Sequence, residues 1–350
     1  MKLSIDVIGK RAVEALNICL NRVPFLKIAE IREETSLEGV PQILRVKIVH
    51  RGGVKNLMIA LMGNGQPRLA RQAVNQLLRT CNEFQDVYGV FVAPYISAKS
   101  ADICSSEEVG YLDLAGNCRL CFDEIYIEQE GKSNVFTKKR DLRSLYSPRA
   151  ERILRVLLNN SKKVWKTQEL AKEAQVSLGQ VSNVKKLLFD REWIQIEKKG
   201  FLLSSPESLL KDWAENYSFE KNRITDYYSL KDVAEIETEL ASLCSRKGLL
   251  YAFTCFSGAA RLAPTVRYKK IFSYIEETKE DVTWQLGLRK VSAGANLSLL
   301  SPYDQGVFSG SYETHGVRIA SPVQIYLDLS CFRGHGEEAA QALLNQGILT

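Results

Sequence analysis

Between residues 177 and 186 the chain alternates two kinds of side chain in a helical rhythm. Leu178, Val181 and Val184, continued by Leu188, are spaced by three and four, which predicts a helix buried along that side. Gly179, Gln180, Ser182, Asn183 and Lys186 would then face outward. An amide accepts and donates at once, so Gln180 or Asn183 can bond an adenine edge in two places in the major groove. Lys185 and Lys186, with Lys198 and Lys199 further on, are placed for phosphates, which supply affinity without sequence choice. The chemistry on offer is recognition of double-stranded DNA rather than bond making.

Other chemistries find no such grouping. The histidines are His50, His315 and His335, none within a triad or a metal motif. The eight cysteines (19, 81, 104, 118, 121, 244, 255 and 331) lack framework spacing and read as reduced thiols. Cys118-Arg119-Leu120-Cys121 has the CxxC spacing but no second ligand pair for zinc, and it reads as a strand, where i and i+3 point to opposite faces. Gly63-Asn64-Gly65-Gln66 lacks the lysine of a phosphate loop. Asp304 and Asp328 are far apart with no third acid close to either, and Asp304 fits a turn cap. No metal, cofactor or catalytic set is expected, and the chain reads as a non-enzyme.

The elements that would hold the outward face lie on both sides of it. Arg149 to Leu158 is predicted helical, with Ile153, Val156 and Leu157 inward. Thr167 is expected to cap a short helix over 168–174, and Gln175-Val176 makes a tight turn. Ser177 then caps the third helix in a Ser-x-x-Gln box with Gln180. Trp193 to Ile196 and Phe201 to Leu203 are two strand halves around Glu197-Lys198-Lys199-Gly200. Helix, short helix, turn, helix and hairpin predict a winged helix-turn-helix over 149–204. Its expected DNA contacts are Thr167, Ser177, Gly179, Gln180, Ser182, Asn183, Lys185, Lys186, Lys198 and Lys199.

Charge is distributed to match. The 350 residues carry a net +6, yet residues 1–131 sum to −1, residues 200–350 to −3, and residues 132–199 to +10. A basic block between near-neutral segments is the footprint of a polyanion partner. Winged helices also serve as protein-docking modules, and this charge favours DNA over docking. Asp6 and Lys10 break the apolar stretch at the N-terminus, and no uncharged apolar run is long enough to span a bilayer, so a cytoplasmic chain without membrane contact is expected.

Either side of the basic block the pattern changes. Residues 1–131 read as helix, hairpin (Ile43–Ile48 and Leu57–Met62), helix, strand (Val87–Ala93), helix (97–107) and further strands to Ile127, an α/β sandwich. Residues 132–148 read as a basic linker. From 205 to 350 an α+β domain is expected. Ser205-Pro206 opens a helix, a second runs over about 231–246 between a capping-box-like start of Ser229 with Asp232 and an end at Gly248, and a last one covers about 336–345. Its β-rich runs are 249–256, 267–275, 296–300 and 317–328.

Three stretches of text carry a resemblance. SPRAERILRVLLNN with VWKTQELAKEAQVSLGQVSNVKKLL resembles the DNA-binding part of AbiEi-family antitoxins, regulators of type IV toxin–antitoxin systems. GANLSLLSPYDQGVFSG, SPVQIYLDL and GHGEEAAQALL resemble the C-terminal domain of those proteins. VFVAPYISAKSADICSSEEVGYLDLAGNCRL resembles the extra domain of their long members. The resemblance implies a prokaryotic transcriptional repressor of its own operon, with a toxin encoded nearby as partner. Residues from about 217 onward, lacking a catalytic set, are expected to mediate partner contact or homodimer formation. The alternative is a DNA-processing or phage-defence protein.

Residues 1–131 are also similar to a PD-(D/E)XK nuclease core, a restriction-endonuclease-like α/β fold. In that fold an acidic-x-Lys triplet on the second hairpin strand binds a divalent metal. Aligned through GNGQP, the triplet falls here on Ala60-Leu61-Met62, which offers no oxygen ligand to a hard cation. The upstream acids Glu34 and Glu38 have no supporting partners in the sequence. Purified protein incubated with plasmid, linear and single-stranded DNA plus Mg²⁺ or Mn²⁺ should therefore leave all three intact. Specific cutting, abolished by a point change in this domain, would contradict that reading.

Overall fold

Leu57, Met58, Ile59, Ala60 and Leu61 are all buried, so this strand needs an apolar layer on both of its faces. The computed structural model supplies both. It describes residues 4–34, 42–51, 53–84, 86–136, 145–276 and 280–345. The chain divides into two units, Met1–Asp141 with Phe189–Glu192 and Leu142–Leu188 with Trp193–Thr350. The segments 149–204 and 205–350 thus fall almost wholly within one unit.

The first unit opens with α1 (Ile5–Leu20), whose cap Ser4 accepts the Val7 N–H. Strands β1 (Lys27–Glu34), β2 (Gln42–His50) and β3 (Gly53–Leu61) follow, then α2 (Pro67–Asn82), β4 (Val87–Ala93) and α3 (Ala98–Ser106). Strands β5 (Gly110–Asp113), β6 (Cys118–Phe122) and β7 (Ile125–Gln129) complete a seven-stranded sheet in sequential order. The pairs β3–β4 and β4–β5 are parallel and the rest antiparallel. Leu57, Ile59 and Leu61 meet Ile8, Ala12 and Leu16 of α1 on one face. Met58 and Ala60 meet Ala70, Val74 and Leu77 of α2 and Ile103 of α3 on the other.

That placement puts Ala60 inside an apolar layer, and Met62 packs against the same layer. Glu38 and the side chain of Glu34 lie outside the described residues. The loop after β3 serves packing. A Cβ on Gly65 would stand 2.1 Å from the Tyr95 carbonyl oxygen, so only glycine lets the two backbones approach. Strand β1 has no counterpart in the hydrophobic pattern. It is an edge strand of mostly charged residues, paired on one side only.

In the second unit α4 (Pro148–Asn159), α5 (Thr167–Glu173) and α6 (Leu178–Asp190) precede a hairpin of β8 (Ile194–Glu197) and β9 (Gly200–Leu203). Next come α7 (Pro206–Asn216), β10 (Arg223–Tyr228), α8 (Val233–Lys247), β11 (Tyr251–Thr254), α9 (Cys255–Ala259) and β12 (Ile271–Ile275). The chain continues through α10 (Glu280–Gln285), β13 (Arg289–Lys290), β14 (Leu297–Ser301), β15 (Tyr312–Thr314), β16 (Val317–Ile319), α11 (Pro322–Ser330) and α12 (His335–Asn345). Its second seven-stranded sheet runs β13-β10-β14-β12-β11-β16-β15.

Two sequence expectations change here. The run 317–328 is not one strand: it breaks after Ile319, Ser321 caps α11, and Pro322 takes its first position. The helix α8 is capped by Asp232, which accepts the Glu235 N–H at 2.8 Å, rather than by Ser229. It ends as expected at Gly248, whose φ of +62° is the left-handed conformation that glycine adopts freely.

Asp113, at the end of β5, is fully buried and acts as a turn anchor. Its Oδ1 accepts the N–H groups of Ala115, Gly116 and Asn117, each at 2.9 Å. Its Oδ2 accepts from Ile96 N–H at 3.2 Å and Asn117 Nδ2 at 2.8 Å. With five donors on two oxygens, this carboxylate has little capacity left for a metal. Asp113→Ala would strand the buried donors of Ile96 and Asn117 and unfasten those of Ala115 and Gly116, and it should lower unfolding free energy by about 3 kcal/mol or more in urea titrations. A loss under about 1 kcal/mol would show that water or relaxation replaces the carboxylate.

Candidate nucleic-acid interface

The inner side of α6 is set by Val181, Val184 and Leu188, all fully buried. Gly179, Ser182, Asn183 and Lys186 are exposed on its outer side, and Gln180 is half-buried beside them. Ser177 is exposed and its Oγ accepts the Gln180 N–H at 3.2 Å, forming the expected N-terminal cap. Gln175 makes the turn from α5 at φ +52°, and the Val176 N–H returns to the Ala171 carbonyl at 3.0 Å.

Three predicted placements are corrected. Leu178 is 49% exposed and joins the outer face. It stands about 60° round the helix from Val181 and in the first turn, beyond the apolar stripe. Thr167 does not cap α5: it is the first helical residue, half-buried, and Lys166 holds the cap position without a side-chain bond. Lys185 is half-buried and its ammonium rests 4.9 Å from the centre of the Phe201 ring, so it ties α6 to β9.

Lys198 and Lys199 are exposed in the two-residue turn between Glu197 and Gly200. The hairpin is held by Trp165, whose N–H donates to the Phe201 carbonyl at 2.8 Å and whose carbonyl accepts the Phe201 N–H at 3.0 Å. An open basin of about 540 Å³ lies where α4 and α5 meet the start of α6, lined by Arg149, Arg152, Lys172, Gln175, Ser177 and Asp304 among others. Asp304 neutralises Arg152 there through bonds of 2.8 and 3.1 Å, and it also accepts the Gly306 N–H, the turn cap expected of it.

The three helices are fastened from below by a buried polar chain that the sequence did not reveal. Glu151 and Arg155, one turn apart on α4, are both fully buried. Arg155 Nε donates to Gln324 Oε1 at 2.8 Å and Nη2 to the Tyr303 hydroxyl at 3.0 Å. Tyr303 donates on to the Glu151 carboxylate, which also takes Lys221 Nζ at 3.0 Å. Gln324 Nε2 donates to Asp328 Oδ1 at 2.8 Å, and Asp328 is closed in by Tyr217, Tyr274 and Thr254 hydroxyls.

Most of that chain lies in a stretch whose relatives can be named. Residues 202–349 match the AbiEi antitoxin family. Its description is a transcriptional regulator, AbiEi antitoxin, of type IV toxin–antitoxin systems. No curated protein matches. Two solved structures are similar in part. One is EndoMS in apo form, at 17% identity over 29% of this chain and 45% of that one, with a TM-score of 0.21. The other is an EndoMS–dsDNA2 complex, at 16% identity over 32% and 45%, with a TM-score of 0.22. The chain spans less than half the length of either. No helix among the described residues is long and apolar enough to cross a membrane.

Within the AbiEi region the polar chain ends on α11 at Asp328. Burial pushes its carboxyl up to about 6 from an ordinary 3.8, against the pull of Thr254, Tyr217, Tyr274 and Gln324. Between those values the folded chain holds a proton that the unfolded chain has lost. The stability contributed by this group is therefore full below about pH 4 and lost as pH rises through about 6, in all roughly 3 kcal/mol. Asp328→Asn cannot titrate. The stability of wild type minus that of Asp328→Asn, from urea unfolding at each pH, should thus fall by about that amount between pH 4 and 7. A difference that stays flat or rises with pH would contradict the assignment.

Proposed function

We propose that this protein is a sequence-specific double-stranded DNA-binding regulator of the AbiEi antitoxin kind. Residues 149–204 form its winged helix-turn-helix: α6 reads base edges in the major groove and the β8–β9 turn lies along the backbone. The observation that carries this is the two-sidedness of α6. Val181, Val184 and Leu188 are sealed inside, while amide, hydroxyl and ammonium groups and the bare backbone of Gly179 face out. A net charge of +10 over residues 132–199 supplies the attraction to phosphates. The family match over residues 202–349 supports the regulatory role, and by extension repression of its own operon, a cytoplasmic location and a toxin as partner.

In this reading the first unit is a nuclease-like scaffold without activity, and the AbiEi region mediates assembly with a second copy or with the toxin. Lys185 contributes by bracing the hairpin, so the phosphate contacts fall to Lys186, Lys198 and Lys199, and base reading to Gln180 and Asn183 with support from Ser182. Thr167 and Ser177 sit at helix starts, where a backbone N–H can meet a phosphate.

Base reading and phosphate anchoring predict different kinds of loss. Gln180→Ala or Asn183→Ala should cost roughly 1–3 kcal/mol on upstream DNA and little on random DNA. Replacing Lys198 and Lys199 with Ala should weaken both DNAs alike and flatten the salt slope by about one unit per lost contact. Fluorescence anisotropy titrations at several salt concentrations separate the two. If the Gln180 and Asn183 variants bind both DNAs as wild type does, α6 is not the reader and the domain serves docking instead.

A further inference from the structure

Two cysteines remote in sequence meet inside the first unit. Cys19 in the last turn of α1 and Cys118 at the start of β6 hold their Sγ atoms 3.2 Å apart, across a separation of 99 residues. Both are buried and belong to the apolar layer that includes Leu16, Leu20 and Leu120. The CxxC spacing of residues 118–121 does not make a pair, because Cys118 points into this layer while Cys121 is exposed. The partner of Cys118 is Cys19.

We propose that Cys19 and Cys118 form a reversible dithiol–disulfide site that ties the end of α1 to the sheet. A disulfide needs its sulfurs about 2.05 Å apart, so closure asks for an approach of roughly 1 Å, within reach of small side-chain rotations. The two thiols are also unequal. The hydrogen bond the two share holds Cys118 below the ordinary cysteine range against the cost of burial, and the Arg22 guanidinium adds to this. Cys19 itself is pushed up by the same bond and by burial. Cys118 is therefore the sulfur that ionises first, and the thiolate is the nucleophile. Burial alone pushes Cys104 up to about 12 and Cys244 up to about 11, as expected of inert packed thiols.

The oxidant is a small peroxide. The Cys118 thiolate attacks one peroxide oxygen, the O–O bond breaks, and the other oxygen leaves and takes up a proton, as an alcohol or as water. The resulting sulfenic acid is attacked by Cys19, the S–S bond forms, and the S–O bond breaks to release water. Two thiols lose two electrons in all and the peroxide gains them. A dithiol reverses the step by exchange. Access is through the end of α1, where Asn21 and Arg22 are exposed and the last turn can fray.

Reduced full-length protein exposed to hydrogen peroxide, alkylated in denaturant and digested without reductant reads the site directly. The expected main product is a Cys19–Cys118 cross-linked peptide that disappears on treatment with dithiothreitol and persists in Cys121→Ser. Because the link closes a long loop in the unfolded chain, oxidised protein should also melt several degrees above reduced protein. Cys118→Ser should lose both effects. Recovery of Cys19 and Cys118 as separate alkylated or over-oxidised residues, or a main cross-link through Cys121, would overturn the proposal, and the peptide map of wild type decides this even if Cys118→Ser fails to fold.

Discussion

The burial of one guanidinium governs the second unit. Arg155 has no exposure to water, and a charge so placed is tolerated only where hydrogen bonds and an opposite charge replace its hydration. Its own helix provides Glu151. Everything else comes from the AbiEi region: Gln324 on α11, the Tyr303 hydroxyl, and the Trp213 ring 5.0 Å from the guanidinium carbon. Nη1 is without a hydrogen-bond partner and stands 3.7 Å from Glu151 Oε2. The helix α4 can therefore keep Arg155 inside only while α11 and the residues after β14 are folded beneath it. The inner face of α6 packs into the same hydrophobic core as α4, so the constraint extends to the face that would meet DNA.

This arrangement gives the AbiEi region a positioning role that area alone would not. An apolar contact between α4 and α11 would tolerate sliding, whereas a hydrogen-bonded chain from Glu151 through Tyr303, Arg155 and Gln324 to Asp328 accepts one register. Asn159 adds a further fixed point by donating to the Ser309 carbonyl at 3.2 Å. The family match begins at residue 202, inside β9, so the hairpin is shared between the matched region and the segment before it. Sequence and packing agree that the two are built as one unit.

Much of this architecture was legible in the residues, and the misses have physical causes. The amphipathic helix α6 announced itself by three-and-four spacing, and the hairpin β2–β3 by two adjacent β-rich runs. The helix α11 did not, because Val323 to Leu329 are buried on every side and leave no periodic contrast. Its Ser-Pro start was the available signal, the same pair that opens α4 and α7. The edge strand β1 is mostly charged and was invisible for the opposite reason. In the candidate interface, the exposed set on α6 followed from spacing alone, whereas Leu178 and Thr167 sit at helix starts, where periodicity constrains least. Glu151 and Arg155 were unreadable as buried residues because their partners lie about 150 positions away.

If α6 reads DNA sequence, the protein must tell its own upstream DNA from random DNA. The intact protein should be titrated into equal lengths of its own upstream DNA and of random DNA at near-physiological salt, with complexes resolved by gel shift. A reading helix gives a discrete complex on upstream DNA at concentrations about a thousandfold or more below those needed for random DNA. Equal affinity for the two, falling together with salt, would leave only the charge of the basic block to explain binding and would contradict sequence-specific regulation by this helix.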